Sequence, residues 1–446
     1  MPSRTTSQLR VAVLADSDTR WKWGALTARR LAPGARLDGY LLRGRATPTV
    51  RQLDEVGVGA DSLREVTGVE FVRSLDRTNC DLLVLSCVGG AVQAMLHGLG
   101  HAWREAAGRR PVVATGYVGV VYEKLADGLL LRHGADLVLA NSRHDADRFR
   151  EVYAGVGAGT ESVVECALPF LGGAPYDEGA REGRPHTVVF AAQPSVPDRR
   201  ADRTYLLRRA VEHARRHPDR EVLIKLRSKP GEHTTHIEEL PYQKLTAKLP
   251  DGLPANCRLV YGHMGDVLDR TDLLVTVSST AALESLHRGI PTAVLTDLGV
   301  RETLGNHHFL GSGCLASWDQ LDAGHRPHPA AEWLSRQGVA AHSESGGYET
   351  AFDVARDRVA ELAAAAELPP PAPYYTPVTA PGYLPGVLAR HGLGPDGAPR
   401  PGSDTSAAEV SGVRLAVRNA LREAARGTYR HGVQRVAPVI RRMGEL

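Results

Sequence analysis

The residues best equipped for chemistry lie in one stretch, LLVTVSSTAALESLHRGIPTAVL, residues 273–295. It reads as strand, turn, helix, turn, strand. The turn carries the hydroxyls Ser278, Ser279 and Thr280, and the helix carries an early acid, Glu284. A Ser or Thr at the N-cap satisfies one free amide of the first helical turn, and a capping box sets an acid three residues after the cap. Thr280 plus three is Leu283, so capping accounts for one hydroxyl and leaves the others and Glu284 over. A helix N-terminus at a strand's end is also an anion site, through its amides and its dipole. A phosphate or diphosphate could accept bonds from Ser278, Ser279, Thr280 and the backbone, with Glu284, a helical turn on, accepting both hydroxyls of a ribose.

Further groups could join such a site. In IKLRSKPGEHTTH (224–236), strand alternation sets Lys225, Arg227 and Lys229 on one side. That makes a cationic wall for phosphate and for the negative charge that develops on a leaving nucleotide. His233 and His236 follow at once. After the first strand, ADSDTRWKWG (15–24) offers Asp16 or Asp18 as a general base. There Trp21 and Trp23 offer flat faces for a sugar ring, and Lys22 a donor. His263, His307 and His308 stand after strands and could line the nucleotide site. GxSxG and GxxxxGKS are absent, and GxGxxG occurs only as GLGPDG (392–397), in the Pro- and Gly-rich segment rather than after a strand, which disfavours serine hydrolase, dinucleotide oxidoreductase and P-loop ATPase.

Short apolar runs position these groups. LRVAVLA (9–15), DLLVLSC (81–87), PVVATGY (111–117) and the strand within 130–142 alternate with helical patterns; Ser142 is placed to cap a helix. This is the signature of a parallel sheet covered on both faces. After a Gly- and Pro-rich loop (171–186) a second series begins: HTVVFAAQP (186–194), EVLIKLRSKP (221–230), RLVYGH (258–263), DLLVTV (272–277) and TAVL (292–295). Two α/β domains are expected, 1–170 and 186–345, each doubly wound, facing a cleft that takes the ligands. A helix at 346–367 returns toward the first. Residues 368–404, rich in Pro and Gly, read as an extended connector, and 405–446 as a basic amphipathic helix.

The 446 residues contain 42% hydrophobic and 24% charged residues, as an ordinary globular protein does. The five scattered cysteines form no CxxC, which argues for a reducing cytoplasm and against structural zinc. No run suits a membrane span, and no signal-peptide core precedes the first strand. The net charge of +3 is concentrated: residues 405–446 hold eight Arg and three Glu, +5, which leaves −2 for the rest and weakens any reading as a nucleic-acid binder. Arg414, Arg418, Arg422, Arg426 and Arg430 recur every four residues beside Val413, Val417 and Leu421. Such a helix suits an anionic membrane face.

DLLVTVSSTAALESLHRGIPT (272–292) resembles the donor-nucleotide segment of GT-B glycosyltransferases. It is most similar to bacterial sialyl-, polysialyl- and capsule-type enzymes with a Ser-Ser/Thr motif. TGYVGVVYEKLADGLLLRHGADLVLANS (115–142) and GNHHFLGSGC (305–314) resemble a family of uncharacterised actinobacterial glycosyltransferases. The resemblance implies a GT-B fold of two Rossmann-like domains, with the nucleotide held mainly by residues 186–330 and the acceptor by the N-terminal half. It also implies an acidic general base in that half, and a histidine of a His-Pro pair that assists the leaving phosphate. Here Lys229-Pro230 stands where His-Pro is expected, so the role is open among Lys225, Lys229, His233 and His236. Asp16-Ser17-Asp18 also spells the DxD of metal-dependent GT-A enzymes, but it precedes the nucleotide half. No metal is therefore expected, nor any cofactor beyond a nucleotide-sugar substrate. The expectation is a cytoplasmic enzyme, peripheral to the inner face of the plasma membrane. It would move a sugar from a CMP- or UDP-activated donor to a cell-envelope or lipid-linked glycan by direct displacement. Alternatives are a GT-B nucleotide-sugar 2-epimerase, a teichoic-acid-like phosphopolyol transferase, and a non-catalytic nucleotide-binding scaffold.

Overall fold

The computed structural model describes residues 9–401, apart from 45, 105–107, 121–124, 180–182, 230–237, 239 and 342–346. The basic segment 405–446, His233 and His236 lie outside the described residues. The chain divides into two compact units.

Unit 1 comprises residues 1–170, 336–338 and 342–406. It runs β1 (Arg10–Ala15), α1 (Asp18–Leu31), β2 (Arg36–Leu42), α2 (Val50–Val56), β3 (Ser62–Val66), α3 (Gly68–Ser74) and β4 (Leu82–Ser86). It continues through α4 (Gly89–Trp103), β5 (Val112–Gly116), α5 (Leu125–Leu130), β6 (Leu137–Ala140), α6 (Arg143–Gly155) and β7 (Val163–Glu165). The seven strands form one sheet in the order β3-β2-β1-β4-β5-β6-β7, and every pairing is parallel. The central strands β1, β4, β5 and β6 are covered on both faces, so their runs are apolar throughout rather than alternating.

Unit 2 holds β8 (His186–Ala191), α7 (Arg200–Arg216), β9 (Arg220–Lys225), α8 (Tyr242–Thr246), β10 (Cys257–Val260), α9 (Met264–Leu268) and β11 (Leu273–Thr276). After these come α10 (Ala281–His287), β12 (Thr292–Leu295), β13 (Leu315–Ala316), α11 (Trp318–Asp322) and α12 (Ala331–Arg336), whose last residue falls in unit 1. Its sheet order is β10-β9-β8-β11-β12-β13, again all parallel. Each unit is therefore a Rossmann-like, doubly wound α/β domain.

One device sets the register in both. An aspartate just before a strand accepts the amide of the first or second residue of a neighbouring strand. Asp81 takes Arg10 N at 2.9 Å, Asp136 takes Val113 N at 2.7 Å, and Asp272 takes Thr187 N at 2.7 Å. Arginines close the other side of these carboxylates: Arg109 on Asp81, Arg110 on Asp136 and Arg184 on Asp272. The N-terminal sheet edges are thus consumed by structural bonds, and the C-terminal edges remain for chemistry.

The expectation of an extended connector over 368–404 is corrected. After α13 (Asp353–Ala364) the chain lies along unit 1. Arg110 donates to Pro369 O, His97 Nε2 meets Tyr375 O at 2.9 Å, and α14 (Leu384–Ala389) packs on α4. Leu384, Val387, Leu388 and Leu393 are buried, and the three leucines join the core beside Val92, Met95 and Leu96. Proline and glycine made the segment look unstructured, whereas its few leucines, spaced to share one face, decide its place. If the segment is part of the core, Leu388→Ala costs about 2–5 kcal/mol in denaturant unfolding. A surface connector would tolerate the change within about 0.5 kcal/mol.

Candidate functional site

In an open doubly wound sheet, ligands bind beyond the strand C-termini where the strand order reverses. In unit 2 that point lies between β8 and β11. Ala192-Gln193 follow β8, and Val277-Ser278-Ser279-Thr280 follow β11. The Gln193 amide bridges the two: Oε1 accepts Ser278 N at 3.0 Å, and Nε2 donates to Ser278 Oγ at 3.2 Å. Ser278 Oγ in turn donates to Leu304 O at 2.5 Å. Thr276 Oγ1 donates to Ala191 O and accepts from Ser279 N. Gln193 was missed in the sequence reading. The available signal was an isolated amide side chain directly after the first strand of the second series.

The three hydroxyls therefore have different jobs. Ser278 is buried and braces the turn, so its side chain is not an open ligand contact. Ser279 Oγ accepts the amide of Ala281 at 3.2 Å, which is the local capping bond. Thr280 stands at the N-cap of α10 and forms no side-chain cap bond. Glu284, nine-tenths buried, lies four residues on and shares its helix face.

The cationic wall is corrected in part. β9 stops at Lys225, so strand alternation does not reach Arg227 or Lys229. Lys225 is buried, with its ammonium donating to Leu226 O at 2.7 Å. Arg227 is half-buried in the following bend, and Lys229 is exposed, 6.0 Å above the Tyr261 ring. His263 is the N-cap residue of α9, with Nδ1 3.6 Å from Asp266. His307 and His308 sit in a single 3-10 turn, Asn306–Phe309. The His308 ring stands edge-on to Phe309 and Trp333. Asn306 pins that turn by donating to Leu295 O and Gly299 O while accepting from Arg301 N. GNHHFLGSGC is thus built around a structural asparagine, and Gly305 before it takes φ +71°, a left-handed angle that favours glycine.

The corresponding reversal in unit 1 lies between β1 and β4. Asp16 spans it: one oxygen pairs with Arg20 at 3.1 Å and the other accepts Val88 N at 2.9 Å. Asp18 opens α1 beneath the Ser17 cap and accepts from Thr19. The tryptophans are not sugar platforms. Trp21 and Trp23 are each 1% exposed, with their indole N–H groups on Val58 O and on Asn141 Oδ1. Gly39 and Gly116 make room for their rings, which a Cβ at either glycine would meet within 3 Å. The amphipathic helix buries both because α1 packs on the sheet. Lys22 lies 4.7 Å over the Phe170 ring.

The sequence matches the model of a family described as "Putative glycosyltransferase (DUF6716)" over residues 11–353. The chain belongs to that family. No curated protein matches it. Among solved structures it is similar to a UDP-GlcNAc 2-epimerase from Neisseria meningitidis bound to UDP-GlcNAc, at 11% identity over 79% of this chain and 100% of that one, with a TM-score of 0.47. The Methanocaldococcus jannaschii UDP-GlcNAc 2-epimerase, in complex with UDP-GlcNAc and UDP, is similar at 11% identity over 78% and 99% of the two chains, with a TM-score of 0.49. The spinosyn forosaminyltransferase SpnP is similar at 14% identity over 86% and 100%, with a TM-score of 0.40. The family's matched span includes both sheets, with Asp16, Gln193, Thr280 and Glu284. No helix among the described residues is long and apolar enough to cross a membrane.

One group of described residues has metal-ligand spacing: His213, His217 and Asp322, with ligand atoms within 4.8 Å of one another. Its surroundings are cationic. Asp322 already accepts from Arg209 and Arg216 and meets His213 Nδ1 at 2.6 Å, while Arg220 Nη1 lies 3.3 Å from His213 Nε2. A guanidinium facing Nε2 requires that nitrogen to be an acceptor, so His213 is neutral and carries its proton on Nδ1. Burial holds its pKa down at about 4 against Asp322's opposing pull. The unfolded chain, with the ordinary value near 6.5, binds this proton more readily. Stability from this group is therefore full above about pH 6.5 and is lost as pH falls toward 4. His213→Gln should flatten the fall in Tm measured across that interval; an unchanged slope would remove His213 as its source.

Proposed function

We propose that the protein transfers a sugar from a nucleotide-activated donor, CMP- or UDP-linked, to a glycan acceptor, with unit 2 holding the nucleotide. The observation that carries this is the Gln193-braced turn at the β8/β11 reversal. It holds the backbone rigid from below, through Ser278, while Thr280 presents an uncapped hydroxyl at the start of α10. A phosphate there would take hydrogen bonds from Thr280 and meet the positive end of the helix. Glu284 on the same face would accept the ribose hydroxyls.

In a direct displacement the bond from the anomeric carbon to the donor phosphate breaks, and its electron pair leaves with the nucleotide. The acceptor oxygen bonds to that carbon and loses its proton to a carboxylate. Asp16 and Asp18 are the candidates for that proton; Arg20 and Val88 N engage the two Asp16 oxygens, and Thr19 donates to Asp18. Lys225 and Lys229 are the described cations assigned to the leaving phosphate, whose charge such groups stabilise most as it develops.

The test is thermal unfolding against CMP, CDP, UDP, GDP and ADP. A nucleotide at a hundredfold over its Kd adds about 2.7 kcal/mol, a shift of roughly 5–11 °C for a domain of this size. We expect one nucleotide to stabilise the wild type and to lose that effect in Thr280→Val and Glu284→Gln. Stabilisation by none of the five, or equal stabilisation of both variants, would sink the proposal.

A further inference from the structure

The start of α4 in unit 1 combines three features that no role above absorbs. First, this fifteen-residue helix begins Gly89-Gly90 with Val88 at the N-cap, and no side chain caps it. Helix geometry denies the first amides an intrahelical acceptor. Ala91 N and Val92 N both return to Val88 O, and Asp16 takes Val88 N, which leaves Gly89 N–H and Gly90 N–H as the amides on offer.

Second, Arg132 is 95% buried beside this turn, since its exposure is 5%. Its guanidinium donates to Gly116 O at 2.9 Å, Gly128 O at 2.8 Å and Cys87 O at 3.4 Å, and lies 4.1 Å above the Tyr117 ring. These partners are carbonyls and a π face. No carboxylate pairs with Arg132 among the described residues. Arg20 is a further positive charge acting on it, and burial already lowers its pKa. Asp16, which takes Val88 N, has its charge matched by Arg20. A buried cation without an anion is costly unless something supplies one. Arg132 Nη1 lies 3.4 Å from where a Gly89 side chain would begin.

Third, Gln93 is fully buried, and neither its Nε2 nor its Oε1 has a hydrogen-bond partner. It stands four residues after Gly89. Helical side chains lean toward the N-terminus and cover the preceding turn, so Gln93 shares the helix face of Gly89, the face that Arg132 Nη1 approaches.

We infer that this turn of unit 1 is an oxyanion site, built to receive a phosphate or carboxylate group of the acceptor. Gly89 N–H and Gly90 N–H bind the oxygens, Arg132 supplies the balancing charge from beneath, and Gln93 completes the polar lining. That the anion belongs to an acceptor rests on the transferase reading; the site itself does not.

The experiment titrates inorganic phosphate and, separately, acetate into the full chain at low ionic strength by calorimetry. All proteins carry Thr280→Val, so that the donor turn does not contribute. Two variants are compared in that background. Arg132→Met removes the buried charge. Gly90→Asp puts a carboxylate among the amides. It keeps the fold, because an acid in the first turn favours the helix and a Cβ there meets only Val387 at 3.7 Å. We expect saturable binding of phosphate, acetate or both, weakened more than tenfold in each variant. Phosphate alone would assign a phosphorylated acceptor, and acetate alone an acidic sugar. No saturable binding, or equal affinity in Gly90→Asp, overturns the site. If, with Thr280 restored, nucleotides stabilise Arg132→Met and Gly90→Asp as they do the wild type, a failed anion site leaves the donor reading intact. If nucleotides stabilise nothing while phosphate still binds, the reverse holds.

Discussion

Both halves depend on parallel strands held in register at one edge. A parallel sheet with helices on both faces presents two unequal ends, and here an aspartate pin closes the N-terminal one. Asp81 and Asp272 each accept an amide near a strand's start, of Arg10 and Thr187, across the point where the order reverses. With β1 registered on β4 and β8 on β11, the residues one or two steps past each strand come together at the opposite edge. Gln193 can then reach Ser278, and Asp16 can reach Val88 N. A one-residue slip of either strand would turn these side chains to the other face.

The excess of arginine, 48 against 6 lysines, fits the same scheme. Arginine's flat fork serves several acceptors at once, and the buried examples brace loops rather than face a polyanion. Arg110 joins Asp136 and Pro369 O, Arg203 joins Glu238 and three carbonyls of residues 193–197, and Arg288 joins Asp269, Gly265 O and Gly172 O. Each of these three has a carboxylate, and Arg132 departs from the rule.

Much of the architecture was legible because buried parallel strands write themselves as apolar runs. LRVAVLA, DLLVLSC, HTVVFAAQP, DLLVTV and TAVL all hold strands. β2 and β3 were not legible. Arg36, Asp38 and Gly39 interrupt the first, and the second, SLREV, is an edge strand largely exposed to water, so neither forms an apolar run. The Ser278–Glu284 turn was found as a polar break at a strand's end, but its division of labour was not. Ser278 had the same standing as Thr280 until Gln193 and Leu304 were seen to enclose it.

What the sequence by itself determined was the pair of βαβ series, the place of the Ser-Ser-Thr turn and the family. These follow from local periodicity, strand-end composition and residues in fixed order. Only the tertiary structure decided which polar groups are spent. Trp21 and Trp23 look like a sugar platform in a loop, yet α1 turns them into the core, where their indole N–H groups find acceptors from Val58 and Asn141. Leu384, Leu388 and Leu393 look like strays among prolines, yet they pack beside α4. The physical reason is the same for both: burial and hydrogen-bond satisfaction are settled by partners far away in the chain, and no local pattern contains them.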